Sequence, residues 1–468
     1  MTQDLQRLVV VGHGAAGLAA ALSAAEQARS LDLRIDITVL EKSHEAEAGG
    51  NTRWSPSYMR LDAPDRLAPG FEDDMQQSSS GLADQGYFRT LAENAVQTIG
   101  WLGTHGVEFV TPIYYLSAGP ARIQPVGGGS AIVAKLADAA KRAGVKVLYE
   151  TAVTGLVMAE GHRVCAVETR SSHGVTTALK ADAVILASGG FQGNAAMMGT
   201  HFGPGAKDLR LISPGTRFNT GDGIRMAMDQ GASASGDWNG MHTEPIDPRS
   251  QNSAPVVLVY PYGIVVDQDG HRFFDEGGGL VHETWETFAR DIHFGRPRII
   301  AYAILDSRLF DIPGYKRAIR SEVPPYQSGS LEDIAAQIGI PAHNLRETID
   351  AFNAAATGDV AQFDATRCDG LAAADTLNPP KSNWARPITK PPYLAYPLVG
   401  AVAYTFGGLA TNERAEVLSE RGPMPGLYAA GETTGHFYRT APNAVSVLRA
   451  LVFGRIAGRE AASFLRNN

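Results

Sequence analysis

The stretch that decides the fold is Leu8-Val9-Val10-Val11-Gly12-His13-Gly14-Ala15-Ala16-Gly17. Its four apolar residues predict a strand buried on both faces, and the glycines that follow have the spacing GxGxxG. Small residues over 18–25 predict a helix directly after them. Glycines between a strand and a helix N-terminus leave backbone N–H groups that can hold a pyrophosphate. The stretch therefore predicts a dinucleotide-binding turn.

A carboxylate at the end of the next strand strengthens this prediction. The run over 35–40 predicts that strand, and Glu41 follows it directly. A carboxylate about 20 residues beyond such glycines accepts hydrogen bonds from a ribose diol. NAD and FAD are alike in this half, so the motif leaves both open, and contacts to a flavin ring must come from elsewhere in the chain.

Strands and helices alternate through the first half of the chain. This order favours an α/β fold with a doubly wound, Rossmann-like sheet. The predicted elements are helices over 87–102 and 130–142, a β-meander over 151–169 and 176–181, and strands over 145–149 and 183–186.

The amino-acid composition of the chain changes at about Gly236, where Trp, His, Pro and Tyr lie close together in the sequence. This predicts an inserted α+β capping domain over 237–374, with the cofactor-binding domain formed by 1–236 and 375–468. Further elements are predicted as a hairpin over 256–274 turning at 267–270, helices over 331–338 and 342–355, a short strand over 426–432 and a last helix over 443–465.

Composition narrows the class of protein. The chain has 468 residues, 44% of them hydrophobic, with 51 glycines and a net charge of -8. These values exclude intrinsic disorder and argue against nucleic acid as a partner. The two cysteines, Cys165 and Cys368, form no CxxC pair, and the histidines show no metal-ligand spacing, so no metal site is predicted. With no long apolar run and no signal-peptide pattern, we expect a cytoplasmic protein that is not integral to a membrane.

The pattern resembles the FAD-dependent flavoproteins of the succinate dehydrogenase and fumarate reductase family, and within it the tricarballylate dehydrogenase-like branch. The resemblance covers nearly the whole chain and implies a discontinuous FAD-binding domain closed by a cap. It depends on the glycine turn with Glu41-Lys42 and on the segments 49–52, 187–191, 220–223, 272–276, 404–408 and 429–432.

The resemblance also implies which residues bind FAD. Gly12, Gly14 and Gly17, with Ala15 and Ala16, would hold the pyrophosphate. The remaining FAD-binding residues would be Glu41 and Lys42 near the ribose, Val153 at the adenine, Gly49, Gly50, Asn51 and Thr52 along the flavin, Ser188, Gly189 and Asp222 along the dinucleotide, Gly431 and Glu432 at the ribityl chain, and Asn443, Val445 and Ser446 at the pyrimidine end.

Some relatives attach FAD covalently through a histidine shortly before the double glycine. His44 stands one residue out of register with that histidine. We therefore expect non-covalent FAD.

The reacting groups match the family only in part. Fumarate reductase-like members clamp a dicarboxylate with two histidines and an arginine, and His242 and Arg439 match the first histidine and that arginine. Tyr404 stands in place of the second histidine. The position of the proton-donor arginine falls in 277–280, which contains no arginine. Fumarate reduction is therefore a less favoured hypothesis for this chain than desaturation.

Desaturation next to a carbonyl needs a hydride acceptor, here flavin N5, and a base for the acidic proton. Tyr404 is the candidate base, provided that Arg439 or His242 lowers its pKa; the alternative is a packing aromatic. Arg439 is the candidate carboxylate clamp, and Tyr262 and Tyr438 are candidate substrate-binding residues.

The sequence thus predicts an FAD-dependent CH–CH dehydrogenase that introduces a C=C bond α,β to a carboxylate or ketone of a small organic substrate, with the hydride passing to flavin N5 and a tyrosine or histidine accepting the proton. A ketone Δ-dehydrogenase of the ketosteroid or oxocyclohexane-carboxylate type and a fumarate reductase-like enoate reductase are alternatives. A flavin-binding electron-transfer subunit is the non-enzyme alternative. The electron acceptor is left open among a separate redox protein, a quinone and dioxygen.

Overall fold

The computed structural model describes residues 5–113, 115–116, 119–295 and 299–467. Its strands are β1 Gln6–Val11, β2 Ile35–Leu40, β3 Leu61–Ala63, β4 Arg66–Leu67, β5 Phe109–Val110, β6 Gln124–Pro125, β7 Lys146–Leu148, β8 Thr151–Met158, β9 Val164–Ser171, β10 Thr176–Lys180, β11 Ala183–Leu186, β12 Arg210–Leu211, β13 Ala234–Ser235, β14 Met241–Ile246, β15 Ile264–Val266, β16 Ala301–Leu305, β17 Tyr326–Ser328, β18 Tyr393–Thr405, β19 Gly408–Leu409, β20 Glu416–Ser419 and β21 Gly422–Ala429. Its α-helices are α1 Ala15–Ser30, α2 Phe71–Ser78, α3 Gln85–Thr104, α4 Gly128–Arg142, α5 Ala195–Phe202, α6 Asp222–Asp229, α7 Val281–Phe294, α8 Leu331–Ile338, α9 Ala342–Ala355 and α10 Ser446–Arg466.

The first domain is built on a six-stranded sheet with the order β20-β21-β11-β1-β2-β7. All of its pairings are parallel except that of β20 with β21. Leu8 and Val10 of β1 enter one apolar core, whereas Val9 and Val11 enter another on the opposite face. Burial on both faces explains the unbroken apolar run, and the predicted doubly wound α/β class is confirmed.

The second sheet carries the cap. Its central strand is β18, which pairs with β12, β14, β16 and β17, and β15 joins through β16. Helix α7 packs across β14 and β18. Strand β18 ends at Thr405, beside the first domain. The side chains at the end of β18 therefore lie at the boundary between the two domains.

Most predicted elements are present with small changes at their ends. The helices over 331–338 and 342–355 and the strands over 35–40 and 183–186 have the predicted bounds, whereas the last helix starts at Ser446 rather than at residue 443. The β-meander is the three-stranded sheet β10-β9-β8.

The hairpin predicted over 256–274 is present only next to its turn. Gly270 donates its N–H to the Asp267 carbonyl, and Val266 forms one antiparallel bridge with Arg272 after the turn, whereas β15 pairs along its length with β16. The proposed domain boundaries stay a prediction. The strands β12 and β18, which lie outside 237–374, both belong to the second sheet.

Within the described ranges, no helix is both long enough and apolar enough to cross a bilayer.

Candidate active site

A cavity of about 560 Å³ lies between the carboxyl edge of the first sheet and the cap. It is lined by residues of both domains, including helix α7 and the ends of β14 and β18. Most of the residues expected to bind FAD line it, namely Gly12, Gly14, Ala15, Ala16, Glu41, Lys42, Gly50, Asn51, Thr52, Val153, Ser188, Gly189, Asp222, Gly431, Glu432, Asn443 and Ser446. Gly17, Gly49 and Val445 are not among the lining residues.

The three glycines of the first motif have different reasons to be glycine. Gly12 has φ +110, and a Cβ there would lie 2.3 Å from the Ala187 carbonyl oxygen. A Cβ on Gly17 would lie 1.9 Å from the Gly12 oxygen, so Gly17 serves close strand–helix packing. A Cβ on Gly14 would have its nearest atoms at 3.8 Å, an ordinary contact, and Gly14 borders the cavity. Gly14 is therefore the position at which the backbone opens to a ligand.

The acidic residue after β2 is held rigidly. Glu41 is buried, and its two carboxylate oxygens accept hydrogen bonds from the backbone N–H groups of His13 at 3.0 Å and Ser43 at 2.8 Å. Beside it, Lys42 Nζ lies 2.9 Å from Asp222 Oδ2. Burial opposes ionisation of Asp222, but Lys42 and neighbouring hydrogen bonds lower its pKa. An ion pair thus spans the cavity wall next to Glu41.

Polar atoms that lack protein partners point to a polar occupant. Ser188 Oγ, Asn443 Oδ1 and His13 Nδ1 are buried and make no hydrogen bond within the part of the chain that the structure describes. Their residues all line the cavity. Buried polar groups are normally satisfied, so these atoms, together with the open Gly14 and the fixed Glu41, fit the hydroxyl, phosphate and ring groups of FAD.

Glu432 lines the cavity just after β21 of the first sheet and contacts the end of β18 in the second sheet. Its carboxylate accepts hydrogen bonds from Thr405 N at 3.0 Å and Asn219 Nδ2 at 3.2 Å. Burial raises the pKa of Glu432 to about 7. The amide of Asn51 is likewise committed, since it donates to the Ala403 carbonyl and accepts from Ser213. These contacts fix the inner wall at the end of β18.

The cap contributes two aromatic rings to the same cavity. His242 of β14 is paired directly with Tyr404 of β18, and their ring centroids lie 4.9 Å apart with the planes inclined by 28°. The strand pairing therefore produces the stacking. Tyr404 Oη makes no hydrogen bond within the described residues, which leaves its O–H group available to a ligand.

Two carboxylates hold His242. Its Nδ1 lies 2.6 Å from Glu286 Oε2 of α7, and its Nε2 lies 3.2 Å from Glu244 Oε1. Burial alone would lower the pKa of His242, but the hydrogen bonds and charges of Glu244 and Glu286 raise it to about 9. His242 is therefore a cation at neutral pH.

The phenol of Tyr404 is held in its neutral form. Burial is the largest cause, and the negative charge of Glu286 adds to it, so the pKa of Tyr404 lies well above its ordinary value. The net shift of the Tyr404 pKa is therefore opposite to the lowering expected from Arg439 or His242. At neutral pH Tyr404 can donate a proton but is a poor acceptor of one.

Three expected site residues lie elsewhere. Arg439 is exposed, is not among the cavity-lining residues and donates its backbone N–H to Asp237. Tyr262 is buried inside the cap, where its hydroxyl donates to the Ala365 carbonyl. Tyr438 accepts a hydrogen bond from Gly236 N. The two tyrosines make backbone contacts through their hydroxyls, and their role in substrate binding stays a prediction.

Several cavity residues were missed from the sequence. Glu244 lies two residues after His242 on one strand, and this spacing could have revealed it because alternate strand residues share a face. Glu286 and Trp285 come from α7 and are brought to His242 only by the tertiary fold. Arg449 is 1% exposed and stacks on Phe437, with its guanidinium 3.8 Å from the ring centroid.

Comparisons with known proteins also indicate an FAD-binding chain. A family model described as "FAD binding domain" matches residues 7–445. The chain is 29% identical over 481 residues to the probable fumarate reductase Ifc3 of Shewanella frigidimarina, covering 98% of this chain and 75% of that protein. It is 29% identical over 377 residues to 4-oxocyclohexanecarboxylate 2-dehydrogenase of Sinomonas cyclohexanicum, covering 72% and 61%.

The fold of the whole chain is similar to that of a fumarate reductase of known structure. The open conformation of a flavocytochrome c3 fumarate reductase superposes with a TM-score of 0.77 at 24% identity, over 99% of this chain and 79% of that one. The family model and the relatives show that the chain is an FAD-dependent oxidoreductase of the class acting on CH–CH groups. The chain belongs to the FAD binding domain family, within the flavoproteins of the succinate dehydrogenase and fumarate reductase type.

Proposed function

We propose that this chain transfers hydrogen across the α,β carbon–carbon bond of a small organic acid or ketone. The observation that carries the proposal is the pairing of Tyr404 with the His242 cation in the cavity that also holds the dinucleotide turn. Bound FAD supplies the hydride chemistry in this class of enzyme. The protein must then supply binding, orientation and one proton.

Tyr404 is the proposed proton-transfer residue. Its hydroxyl has no protein partner within the described residues and its neutral form is favoured, so it is suited to give a proton to the α-carbon of an enoate or enone. Both ring nitrogens of His242 are occupied by carboxylates. His242 is therefore a positioning residue that fixes the Tyr404 ring and places a positive charge beside it.

These protonation states favour hydrogenation near neutral pH. Desaturation, the direction expected from the sequence, is the second candidate, because the same oxygen would have to take the proton. It is supported by a tyrosine in place of the second histidine of fumarate reductases and by the likeness to 4-oxocyclohexanecarboxylate 2-dehydrogenase. The tricarballylate-like substrate stays a prediction.

Anaerobic absorbance of the flavin band tests both directions. Chemically reduced holoenzyme is mixed with fumarate, urocanate or 4-androstene-3,17-dione, and oxidised holoenzyme with succinate, tricarballylate or 4-oxocyclohexanecarboxylate. We expect the unsaturated compounds to restore the oxidised band faster than the saturated ones bleach it. Failure of every compound in both directions would overturn the proposal and leave the electron-transfer subunit as the better account.

The remaining expectations belong to the same proposal. We propose a cytoplasmic enzyme, supported by two free cysteines in a chain without disulfides among its described residues. A redox protein, a quinone and dioxygen remain equal candidates for the electron partner. Arg439 stays the predicted residue that binds the substrate carboxylate. Its backbone has φ +60, and the next residue, Thr440, lines the cavity.

A further inference from the structure

A buried arginine lies in the wall of the FAD cavity and has no part in the proposed proton transfer. Arg449 is 1% exposed and lines the cavity. Its guanidinium lies 3.8 Å from the centroid of the Phe437 ring, and its Nη1 donates a hydrogen bond of 3.3 Å to the Thr434 carbonyl. Among the described residues, its Nε has no hydrogen-bond partner and its guanidinium takes part in no salt bridge.

The position of Arg449 on α10 directs its side chain toward the cavity. Arg449 N donates a hydrogen bond of 2.8 Å to the Val445 carbonyl, within the first turn of the helix. Side chains of a helix point back toward its N-terminus, and residues three apart share a face. Arg449 therefore covers the turn that contains Ser446, which also lines the cavity. This is the turn that the family resemblance places at the pyrimidine end of the flavin ring.

The charge of Arg449 acts at the end of the cavity where Tyr404 lies. The Phe437 ring, on which Arg449 stacks, has its centroid 6.2 Å from that of Tyr404. Burial is the largest cause of the raised pKa of Tyr404, and Arg449 acts against it. Burial also raises the pKa of Glu432 to about 7, and Arg449 again acts in the opposite direction. The guanidinium is thus close enough to bias a charge at the place of the proposed proton transfer.

The protein compensates this cation only in part. Glu432 is half protonated near neutral pH, because its pKa is about 7. Tyr87 is neutral because burial raises its pKa, and His436 is neutral because burial and the charge of Arg449 lower its pKa to about 3. Taking a charge out of water costs free energy unless an opposite charge is supplied. Arg449 therefore stabilises a negative charge that develops in the cavity.

We propose that Arg449 stabilises the negative charge that the flavin ring gains on reduction and so raises the reduction potential of bound FAD. A neutral oxidised ring that takes up a hydride, two electrons with one proton, carries one negative charge afterwards. The N-terminus of α10 acts in the same sense through its backbone dipoles. FAD binding follows from the family, whereas the place of Arg449 at the reacting end rests on the proposed function. A higher potential makes FAD a better hydride acceptor, so Arg449 supports the desaturation direction.

The midpoint potential of FAD in the holoenzyme tests this role without any substrate. Stepwise anaerobic reduction with dithionite, beside an indicator dye of known potential, gives the value from the flavin band. We expect Arg449→Met to weaken binding of reduced FAD relative to oxidised FAD at least tenfold, which lowers the potential by about 30 mV for a two-electron couple. Arg449→Lys keeps the charge and should shift this ratio less than threefold. The Kd of oxidised FAD should change less than threefold in both variants, because the oxidised ring is neutral.

Arg455→Met is the matched control on the same helix. The guanidinium of Arg455 lies 4.8 Å from the Trp101 ring centroid and donates to Thr98 Oγ1, and Arg455 is not among the cavity-lining residues. Its loss should leave the potential unchanged. Arg449→Gln removes the charge but keeps a hydrogen-bond donor, and it replaces Arg449→Met if that variant does not fold. The inference is overturned if the charge-free variants keep the wild-type potential, if Arg449→Lys loses as much as they do, or if Arg455→Met loses as much.

The wild type supplies a second test that needs no variant. Between pH 5 and pH 6, Glu432 with a pKa of about 7 is protonated, His242 with a pKa of about 9 is charged and His436 with a pKa of about 3 is neutral. The slope of the potential against pH then counts the protons that the flavin itself takes up. We expect one proton for two electrons, which leaves the reduced ring negative. Two protons would leave the ring neutral and overturn the inference.

The outcomes separate this inference from the proposed function. A potential that depends on Arg449, in an enzyme that exchanges hydrogen with no compound, would keep the inference and remove the function. Hydrogen transfer to a substrate by an enzyme whose potential ignores Arg449 would do the reverse.

Discussion

The imidazole of His242 lies against the phenol of Tyr404, with the ring centroids 4.9 Å apart, while its Nδ1 lies 2.6 Å from Glu286 Oε2. Three elements therefore meet at His242. Strand β14 contains it, β18 provides the stacked Tyr404, and α7 provides Glu286, which raises the pKa of His242. The local charge of the site depends on a contact that spans 44 residues of sequence.

Glu286→Gln tests the charge of His242. The folded pKa of His242 is raised to about 9 from an ordinary value near 6.5, so His242 is a cation below pH 9 and loses its proton above it. Without the Glu286 charge, the pKa should fall toward the ordinary value. We expect the alkaline limb of the pH–rate profile to move toward neutral pH, while FAD binding is unchanged. Glu347→Gln on the exposed face of α9 is the control, and an unmoved limb would contradict the assignment.

Tyr404→Phe removes the one hydroxyl assigned to proton transfer. Since general acid catalysis contributes about 10²–10⁴-fold, we expect the rate of flavin reoxidation by an unsaturated acid to fall at least a hundredfold. The ring and its stacking on His242 are kept, so the FAD content and the Kd of the acid should change less than threefold. Anaerobic stopped-flow absorbance measures the rate, and a normal rate would reduce Tyr404 to a packing residue.

The sequence predicted the first domain well because its signals are local. The run over 8–11, the glycine turn and the strand over 35–40 each encode their own structure through apolar patterning and backbone freedom. The hairpin over 256–274 is only partly formed, for the opposite reason. The turn at Asp267 and the bridge of Val266 with Arg272 are local, but β15 pairs along its length with β16, which lies beyond helix α7.

Gly14→Ala and Gly17→Ala separate cofactor contact from packing. Gly14 has φ -78, and the atoms nearest to a Cβ there lie at 3.8 Å, an ordinary contact, so the apoprotein should keep its melting temperature. Where Gly14 borders the bound pyrophosphate, the same methyl group should weaken FAD binding more than tenfold. Gly17→Ala should instead destabilise the apoprotein by about 1–3 kcal/mol, because its Cβ would overlap the Gly12 oxygen. Fluorescence titration with FAD and thermal unfolding of the apoproteins measure the two effects, and equal behaviour of the variants would contradict the assignment.

Only part of the candidate site could be predicted from the sequence. His242 and Tyr404 were found through their motifs, and strand pairing brings them together. The state of Tyr404 could not be read from its motif, because burial and Glu286 set its pKa. Arg449 belongs to none of the motifs, and only the packing of α10 brings its guanidinium to Phe437 and to the cavity wall.

The attachment of FAD can be tested without any variant. His44 is exposed, its Nδ1 accepts a hydrogen bond from Ala46 N at 3.1 Å, and it is not among the cavity-lining residues. We therefore expect acid precipitation of the holoenzyme to release all of the flavin into the supernatant as FAD. Yellow colour retained in the washed pellet would show a covalent link and would require His44 or another side chain to reach the ring.

Arg449→Met tests the buried cation beneath the cavity. Burial, and then the charge of Arg449, lower the pKa of His436 to about 3, so the folded protein resists protonation of this histidine between its unfolded value near 6.5 and pH 3. The unfolded chain binds the proton first in that range, and stability is therefore lost as the pH falls below 6.5. Without Arg449 the folded pKa should rise and this loss should shrink. We expect the drop in melting temperature between pH 7 and pH 5 to be smaller in Arg449→Met than in the wild type, and Arg449→Lys, which keeps the charge, to behave like the wild type. A drop of equal size in all three proteins would show that burial alone, and not Arg449, keeps His436 neutral.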